Sequence, residues 1–155
     1  MTLPGSPFLA RHDAHLTLED HALSELGRTF GTPLYVYSRN AMRTAAASYQ
    51  RALAGRRHLL CYAMKANSNL AVLQTFAEAG CGFDIVSGGE LLRVLAAGGR
   101  ADRCVFSGVG KTASEMEQAL VAGVKCFNVE SVAELQALAD VATRLGKRAP
   151  VSLRV

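Results

Sequence analysis

The sequence contains no tryptophan, few other aromatic residues and no long apolar run. A membrane-spanning helix needs about 18 or more consecutive apolar residues, so the sequence predicts none. Its first residues also lack the basic segment followed by an apolar stretch that marks a secretory signal. We therefore expect a cytoplasmic protein with no membrane partner. Half of its residues are apolar and 19% are charged, which is enough to build a folded core.

The sequence also has only a small excess of one sign of charge, and that excess is scattered along the chain. The 17 lysines and arginines exceed the 13 acidic residues by only four, because 17 − 13 = +4. The densest basic segment is arginine-rich and is typical of a solvated helix face; it contains Arg39, Arg43, Arg51, Arg56 and Arg57. We expect no nucleic-acid partner from this pattern.

Three common site motifs are missing. The four cysteines form no CxxC pair and have no histidine-rich segment beside them, which argues against a zinc site or a redox motif. No GxGxxG follows the first predicted strand of the repeat described below. The segment GVGKT (108–112) resembles the end of a P-loop, but Val105 stands where that motif requires glycine. The sequence therefore predicts neither a metal centre nor a P-loop nucleotide site.

The cysteines instead mark a repeat of about 22 residues. They begin four short runs of strand-forming residues, at 61–65, 81–87, 104–110 and 126–131, and a fifth such run follows at 150–155. Ser87, Thr112 and Ser131 each precede a glutamate by three residues, which is the pattern of a capping box at a helix start. Glycines follow each predicted helix, at positions 80, 98–99, 123 and 146. Each repeat is thus predicted to be a strand, a cap, a helix and a glycine.

Strands that alternate with helices at this spacing predict an α/β protein with a parallel sheet. A doubly wound sheet and a (β/α)₈ TIM barrel both fit, and the near-equal units without GxGxxG favour the barrel. A full barrel takes about 250 residues. We therefore expect the truncated front part of a barrel, with about four and a half βα units in residues 30–155. Residues 1–29 form an N-terminal segment, and we also predict a strand at 33–38 and a helix at 39–54.

Chemistry in parallel βα proteins lies at the carboxyl ends of the strands. Lys65 ends the first strand of the repeat, and it is one of only four lysines beside 13 arginines. A lysine amine among apolar residues can lose its proton and attack a carbonyl, which an arginine cannot do. Lys65 could equally be a strand-end lysine that reaches water. The other polar strand-end residues are Asp84, Ser107, Lys111, Asn128, Glu130 and Arg154.

Asp84, Ser87 and Glu90 could each have either a structural or a functional role. Asp84 lies inside the second strand of the repeat, where it could pair with Lys65 or be satisfied by a neighbouring cap. Ser87 and Glu90 are already explained by the capping box. From the residues alone, a structural role is the simpler reading for all three.

The string YAMKANSNLAVLQTFAEAGCGFDIVSGGELLRVLAAGG (62–99) resembles the pyridoxal-phosphate site of the diaminopimelate decarboxylase family. That family belongs to the alanine-racemase-like (fold type III) group, together with ornithine and arginine decarboxylases. FSGVGKTASEMEQAL (106–120), FNVESVAEL (127–135) and FGTPLYVYS (30–38) continue the resemblance in order. It covers roughly residues 15 to 155.

The resemblance implies pyridoxal 5'-phosphate as the cofactor and Lys65 as the residue that carries it through a Schiff base. It implies supporting roles for Asp84, Ser87 and Glu90, and a place near the cofactor for Arg154. The family's stacking histidine, phosphate-binding glycine loop, ring-nitrogen acid and C-terminal β-domain have no counterpart in these residues. We therefore expect the isolated chain to be inactive.

The implied reaction is decarboxylation of meso-2,6-diaminopimelate to L-lysine, the last step of lysine biosynthesis, by a homodimer. Two alternatives stay open. One is another decarboxylase of this fold, acting on ornithine, arginine or carboxynorspermidine. The other is a non-catalytic protein that binds pyridoxal phosphate through the same lysine.

Overall fold

The computed structural model describes residues 7–12 and 15–155, which form two compact units. The first unit ends at Ser48, and the second runs from Tyr49 to Val155.

The first unit contains a small antiparallel sheet that the sequence analysis did not predict. Its strands are β1 (Leu9–His12), β2 (His15–Leu18) and β3 (His21–Ala22), in the order β1-β2-β3. Helix α1 (Leu23–Phe30) follows. Helix α2 (Arg39–Ala52) comes next, close to the predicted helix at 39–54.

The strand predicted at 33–38 is wrong, because residues 34–38 form neither helix nor strand. Ser38 ends this segment as a cap, since its Oγ accepts a hydrogen bond from Ala41 N at 2.9 Å. The Ser38 hydroxyl in turn donates to the Glu19 carboxylate, which also accepts from Asn40 Nδ2 at 2.9 Å. These hydrogen bonds lower the pKa of Glu19, the largest cause being the one from Ser38. Residues of high strand propensity stay extended but unpaired when no neighbouring strand offers hydrogen bonds.

The second unit is the predicted repeat of strands and helices. Its elements are β4 (Cys61–Ala63), α3 (Leu70–Glu78), β5 (Gly82–Ile85), α4 (Gly88–Ala96), β6 (Cys104–Phe106), α5 (Ala113–Ala122), β7 (Cys126–Val129), α6 (Val132–Arg144) and β8 (Val151–Leu153). Short 3₁₀ turns occupy Met64–Ala66 and Ala101–Arg103. All five strands are parallel, in the order β4-β5-β6-β7-β8. Strand order follows chain order without reversal, which is the winding of a barrel and not of a doubly wound sheet.

One hydrophobic core joins the sheet to its helices. Phe83, Phe106 and Phe127 come from three neighbouring strands and are fully buried. They pack with buried side chains of the helices, among them Leu91 and Leu138. Side chains alternate between the two faces of a sheet along each strand. The residues next to these phenylalanines in their strands therefore point to the opposite face. We call that opposite face the open face.

The predicted glycines and caps lie at the ends of the helices. Gly80, Gly98, Gly123 and Gly146 all have positive φ. Gly123 illustrates the reason, because it takes the left-handed conformation after α5 and its N–H donates to Ala119 O. The three predicted caps are present, but only Thr112 and Glu115 close a complete capping box.

Candidate active site

Lys65 lies just beyond the carboxyl end of β4, in the 3₁₀ turn Met64–Ala66. Met64 is fully buried, whereas Lys65 is exposed. Tyr62 stabilises this turn, because its hydroxyl donates to Asn67 O at 3.2 Å and its ring stacks on Phe76 with centroids 4.1 Å apart. Within residues 7–12 and 15–155, no side chain or carbonyl accepts a hydrogen bond from Lys65 Nζ. The fold therefore presents a free amine at the carboxyl edge of the sheet.

Asp84 lies on the neighbouring strand, and its backbone is in register with Ala63, two residues before Lys65. The buried residues on either side of it, Phe83 and Ile85, face the core, so Asp84 faces the open side. Its Oδ1 accepts a hydrogen bond from Ser107 Oγ at 2.5 Å. Lys65 therefore follows the strand next to that of Asp84, but the two side chains form no described hydrogen bond or ion pair, and the hydrogen-bond partner of Asp84 is Ser107.

Ser107 is itself held by the next strand. Asn128 Nδ2 donates to Ser107 Oγ at 2.9 Å. Asp84 on β5, Ser107 directly after β6 and Asn128 on β7 therefore form a hydrogen-bonded chain across three neighbouring strand positions. The sequence analysis placed all three at strand ends but did not link them. A signal was present, because each stands two or three residues after the cysteine that begins its repeat.

Ser87 and Glu90 occupy the first turn of α4, as the cap pattern predicted. Ser87 Oγ accepts from Glu90 N at 3.2 Å. The Glu90 carboxylate, however, accepts from Val86 N at 2.7 Å, one residue before the expected position. Glu134 does the same at α6, where it accepts from Glu130 N at 3.0 Å. Accepting a backbone hydrogen bond at a helix start is therefore a sufficient structural role for both glutamates.

Lys111 is the strand-end residue whose surroundings sequence reasoning missed. Its side chain is fully buried and ion-paired with Glu134, with Nζ and Oε1 2.6 Å apart. Nζ also donates to Gly108 O at 2.7 Å and to Asn128 O at 2.8 Å. All three donors of the ammonium are satisfied. Lys111 thus fastens the loop after β6 to the end of β7.

Arg154 follows β8 at the far side of the sheet. Its Nη1 lies 3.2 Å from Glu130 Oε1, and the same oxygen accepts from Gly108 N at 3.0 Å. The side chain of Arg154 is 64% exposed, while that of Glu130 is 16% exposed. Glu130 thereby holds Arg154 at the carboxyl edge where Lys65 also lies.

The cysteines lie at the opposite, amino ends of the strands. All four are free thiols, and none of the described His, Cys, Asp and Glu side chains cluster in a way that could hold a metal ion. Burial raises the pKa of each thiol, and that of Cys104 reaches about 12. The cysteines therefore remain protonated and contribute packing rather than chemistry.

No helix in the described part of the chain is both long and apolar enough to cross a membrane.

Comparison with known proteins assigns the family. The family described as "Pyridoxal-dependent decarboxylase, pyridoxal binding domain" matches residues 39–155, which includes the whole parallel sheet. The chain belongs to this family. The parallel unit is accordingly part of a pyridoxal-dependent decarboxylase barrel.

Individual members of the decarboxylase family are also similar. The chain is 60% identical over 130 residues to diaminopimelate decarboxylase of Neisseria meningitidis serogroup B, covering 84% of this chain and 31% of that protein. It is 59% identical over 143 residues to the enzyme of the same name from Pseudomonas aeruginosa, covering 92% of this chain and 34% of that protein. The chain thus spans about a third of the length of the curated relatives it matches.

A solved decarboxylase has the same fold. The crystal structure of diaminopimelate decarboxylase from Helicobacter pylori, complexed with L-lysine, superposes with a TM-score of 0.82 at 45% identity. The match covers 86% of this chain and 34% of that one. The barrel prediction is therefore confirmed.

Proposed function

We propose that this chain is the front part of a decarboxylase that converts meso-2,6-diaminopimelate to L-lysine. The reaction releases one carboxylate as carbon dioxide and puts a proton in its place. The observation that carries the proposal is identity of 59–60% to two curated diaminopimelate decarboxylases over most of the chain. Its substrate is a small amino acid, and the reaction is the last step of lysine biosynthesis.

We propose that Lys65 would hold pyridoxal 5'-phosphate through its side-chain amine, the group that can condense with the aldehyde of the cofactor with loss of water. The described residues fit that end of the cofactor, because Lys65 offers an exposed amine with no described hydrogen-bond acceptor at the carboxyl edge. Only an unprotonated amine can react with an aldehyde, and lysine is the basic side chain that can supply one. When bound, the cofactor supplies a ring that stabilises the negative charge left as carbon dioxide departs.

The other predicted residues lie elsewhere on the same edge of the sheet. Asp84 presents a carboxylate on the strand beside that of Lys65. Arg154 adds a guanidinium at the same edge, fixed by Glu130. We assign cofactor-binding roles to Asp84 and Arg154. Ser87 and Glu90 support the site by fixing the start of α4.

We further propose that residues 30–155 are the first part of the barrel domain and that residues 1–29 precede it. The complete protein is then a cytoplasmic homodimer. Light scattering coupled to size exclusion, applied to the complete protein, should give twice the mass of one chain. The mass of a single chain would contradict the dimer.

Replacing Lys65 with alanine in the complete protein tests the assignment. Lys65→Ala should abolish both the absorbance of bound pyridoxal phosphate and the release of carbon dioxide from diaminopimelate. Lys125→Ala is the matched control, since Lys125 is also exposed but lies at the amino end of β7. Turnover that survives Lys65→Ala would refute the role of this lysine.

Carbon dioxide release from a panel of substrates tests the specificity. Diaminopimelate should be decarboxylated, and ornithine, arginine and carboxynorspermidine should be poor substrates. A preference for one of those three would make the protein another decarboxylase of this fold. Cofactor binding without any carbon dioxide release would make it a binding protein.

A further inference from the structure

We propose that Ser107 and Asn128 are positioning residues that orient the carboxylate of Asp84 toward the cofactor and substrate. The inference rests on the proposed function, because it assumes that pyridoxal phosphate binds at the edge where Lys65 lies. It adds Ser107, directly after β6, and Asn128, on β7, to the proposed site residues.

The direction of the hydrogen-bonded chain follows from the chemistry of its members. The Nδ2 of Asn128 can only donate, so at 2.9 Å Ser107 Oγ must be its acceptor. The single hydroxyl proton of Ser107 is then free to point at Asp84 Oδ1, 2.5 Å away. Donation therefore runs from Asn128 through Ser107 to Asp84. A hydrogen bond donated by a hydroxyl to a carboxylate is typically short, and the 2.5 Å separation of Ser107 Oγ and Asp84 Oδ1 fits this.

Both donors are themselves fixed by the strands. Ser107 is only 8% exposed, and its backbone N–H donates to Ile85 O at 2.8 Å, which binds it to the strand that carries Asp84. The carbonyl of Asn128 accepts from the buried Lys111 Nζ at 2.8 Å. The chain thus connects Asp84 to a rigid part of the sheet, and a side chain whose partners are fixed keeps one orientation.

The consequence for the site concerns the second oxygen of Asp84. Ser107 occupies Oδ1, and across the described ranges no residue donates to Oδ2. The free oxygen belongs to a side chain on the open face, on the strand next to that of Lys65. It is available to an N–H or ammonium group, which is the chemistry that the cofactor-bearing amine and an amino-acid substrate both bring.

The experiment measures the affinity of the complete protein for pyridoxal phosphate after removal of the cofactor, by absorbance titration. Ser107→Ala should weaken binding about tenfold, as expected for loss of a hydrogen bond to a charged group. Asn128→Leu should weaken it in the same direction by about threefold, because Ser107 remains. Ser131→Ala is the control, since it removes a helix-capping hydroxyl on α6 that does not contact Asp84. It should lower thermal stability and leave the affinity within twofold.

A double-mutant cycle distinguishes positioning from general damage. If Ser107 acts through Asp84, Ser107→Ala should change the affinity less than twofold when Asp84 is already alanine. An equal loss in both backgrounds would overturn the inference, as would normal affinity in Ser107→Ala or an equal loss in Ser131→Ala.

The same titration separates this inference from the proposed function. A wild-type protein that binds pyridoxal phosphate but does not decarboxylate diaminopimelate would refute the proposed reaction, and the cycle would still decide the role of Ser107. A wild-type protein that does not bind pyridoxal phosphate would refute both.

Discussion

Lys111 shows how one buried charge can fix the relative position of two loops. Its ammonium touches Glu134 and two carbonyls, from Gly108 and Asn128, and is shielded from water. A buried ion pair is strongly destabilising to break, because the remaining charge loses its partner.

We predict that Lys111→Met lowers the free energy of unfolding by about 3 kcal/mol, because Glu134 is left buried and unpaired. Adding Glu134→Gln to Lys111→Met should recover part of that loss, since the orphaned charge is removed. Urea unfolding of the single and double variants measures both effects. A Lys111→Met variant as stable as the wild type would contradict this account.

We expect the Cys104 thiol to be unreactive toward alkylating agents in the folded protein. Burial raises its pKa to about 12, so only about one molecule in 10⁴ carries the thiolate at pH 8. We predict negligible alkylation of Cys104 by iodoacetamide at pH 8, followed by full alkylation once urea unfolds the chain. Peptide mass spectrometry measures this directly. Rapid native alkylation would show that the thiol is more acidic or more accessible than its burial implies.

At the scale of single residues, the sequence predicted candidate site residues but not the hydrogen bonds that join them. Lys65, Asp84 and Arg154 were placed at strand ends because the repeat marks where its strands end, and their roles toward a cofactor stay a prediction. The chain from Asn128 to Asp84 could not be predicted, because it depends on the side chains of three strands that are 21 and 23 residues apart in sequence. Lys111 was equally ambiguous, because burial of a lysine is decided by the loops that close around it.

Strand β5 passes unusually close to the backbone that precedes β6. A Cβ added at Gly82 would lie 2.3 Å from Arg103 O, whereas one added at Gly110 would have no atom within 4 Å. Glycine at position 82 therefore permits the close approach of the two strands.

We predict that Gly82→Ala destabilises the protein by about 2 kcal/mol, because the strands must move apart. Gly110→Ala is the matched control and should change stability by less than about 0.5 kcal/mol. Thermal or urea unfolding compares the two variants. Equal stability of both variants would show that β5 and β6 can separate at little cost.

The stability contributed by the first turn of α5 should depend on pH in the acid range. Glu115 accepts from Thr112 N and Gly88 N, and these hydrogen bonds, chiefly the one from Thr112, lower its pKa below its ordinary value of 4.5. A carboxylate with a lowered pKa in the folded state stabilises the protein above its unfolded pKa, and the contribution is lost as the pH falls through the folded value.

We predict that Glu115→Gln costs about 1 kcal/mol at pH 7 and that the difference from wild type shrinks as the pH falls below about 4. Unfolding measured across this pH range tests the sign. Glu117→Gln, on a partly exposed ion pair of the same helix, should cost less. A Glu115→Gln deficit that persists unchanged at pH 3 would contradict the assigned role.

At the scale of elements, the repeat predicted the strands and helices of the second unit because cysteine, cap and glycine recur with one period. The predicted strands were too long, since their last residues turn into loops once they pass the sheet edge. The segment from Leu34 to Tyr37 was misassigned because strand propensity says nothing of whether a partner strand exists. The small sheet of the first unit escaped prediction because its short strands carry none of the cysteine, cap and glycine marks that recur in the repeat.

In the molecule as a whole, the parallel sheet has two outer strands. Strands β4 and β8 each pair with only one neighbour among the described residues. On β8, Val151 and Leu153 are 45% and 67% exposed. Unpaired strand edges with apolar side chains favour association with other chains.

We predict that residues 1–155 expressed alone form aggregates and bind a hydrophobic dye, whereas the complete protein forms nothing larger than the proposed dimer and binds no dye. Light scattering measures the mass. A stable monomer of 16.5 kDa without dye binding would contradict this prediction.

The sequential strand order has a consequence for biosynthesis. Because each strand pairs with the one synthesised just before it, every new unit finds its neighbour already at hand. Contacts are therefore local in sequence, and loops of only about 20 residues must close at each step, which keeps the entropic cost low. The sheet can grow vectorially as the nascent chain leaves the ribosome, from β4 onward. Its carboxyl edge is then assembled in the order of translation, with Lys65 in place first and Arg154 last.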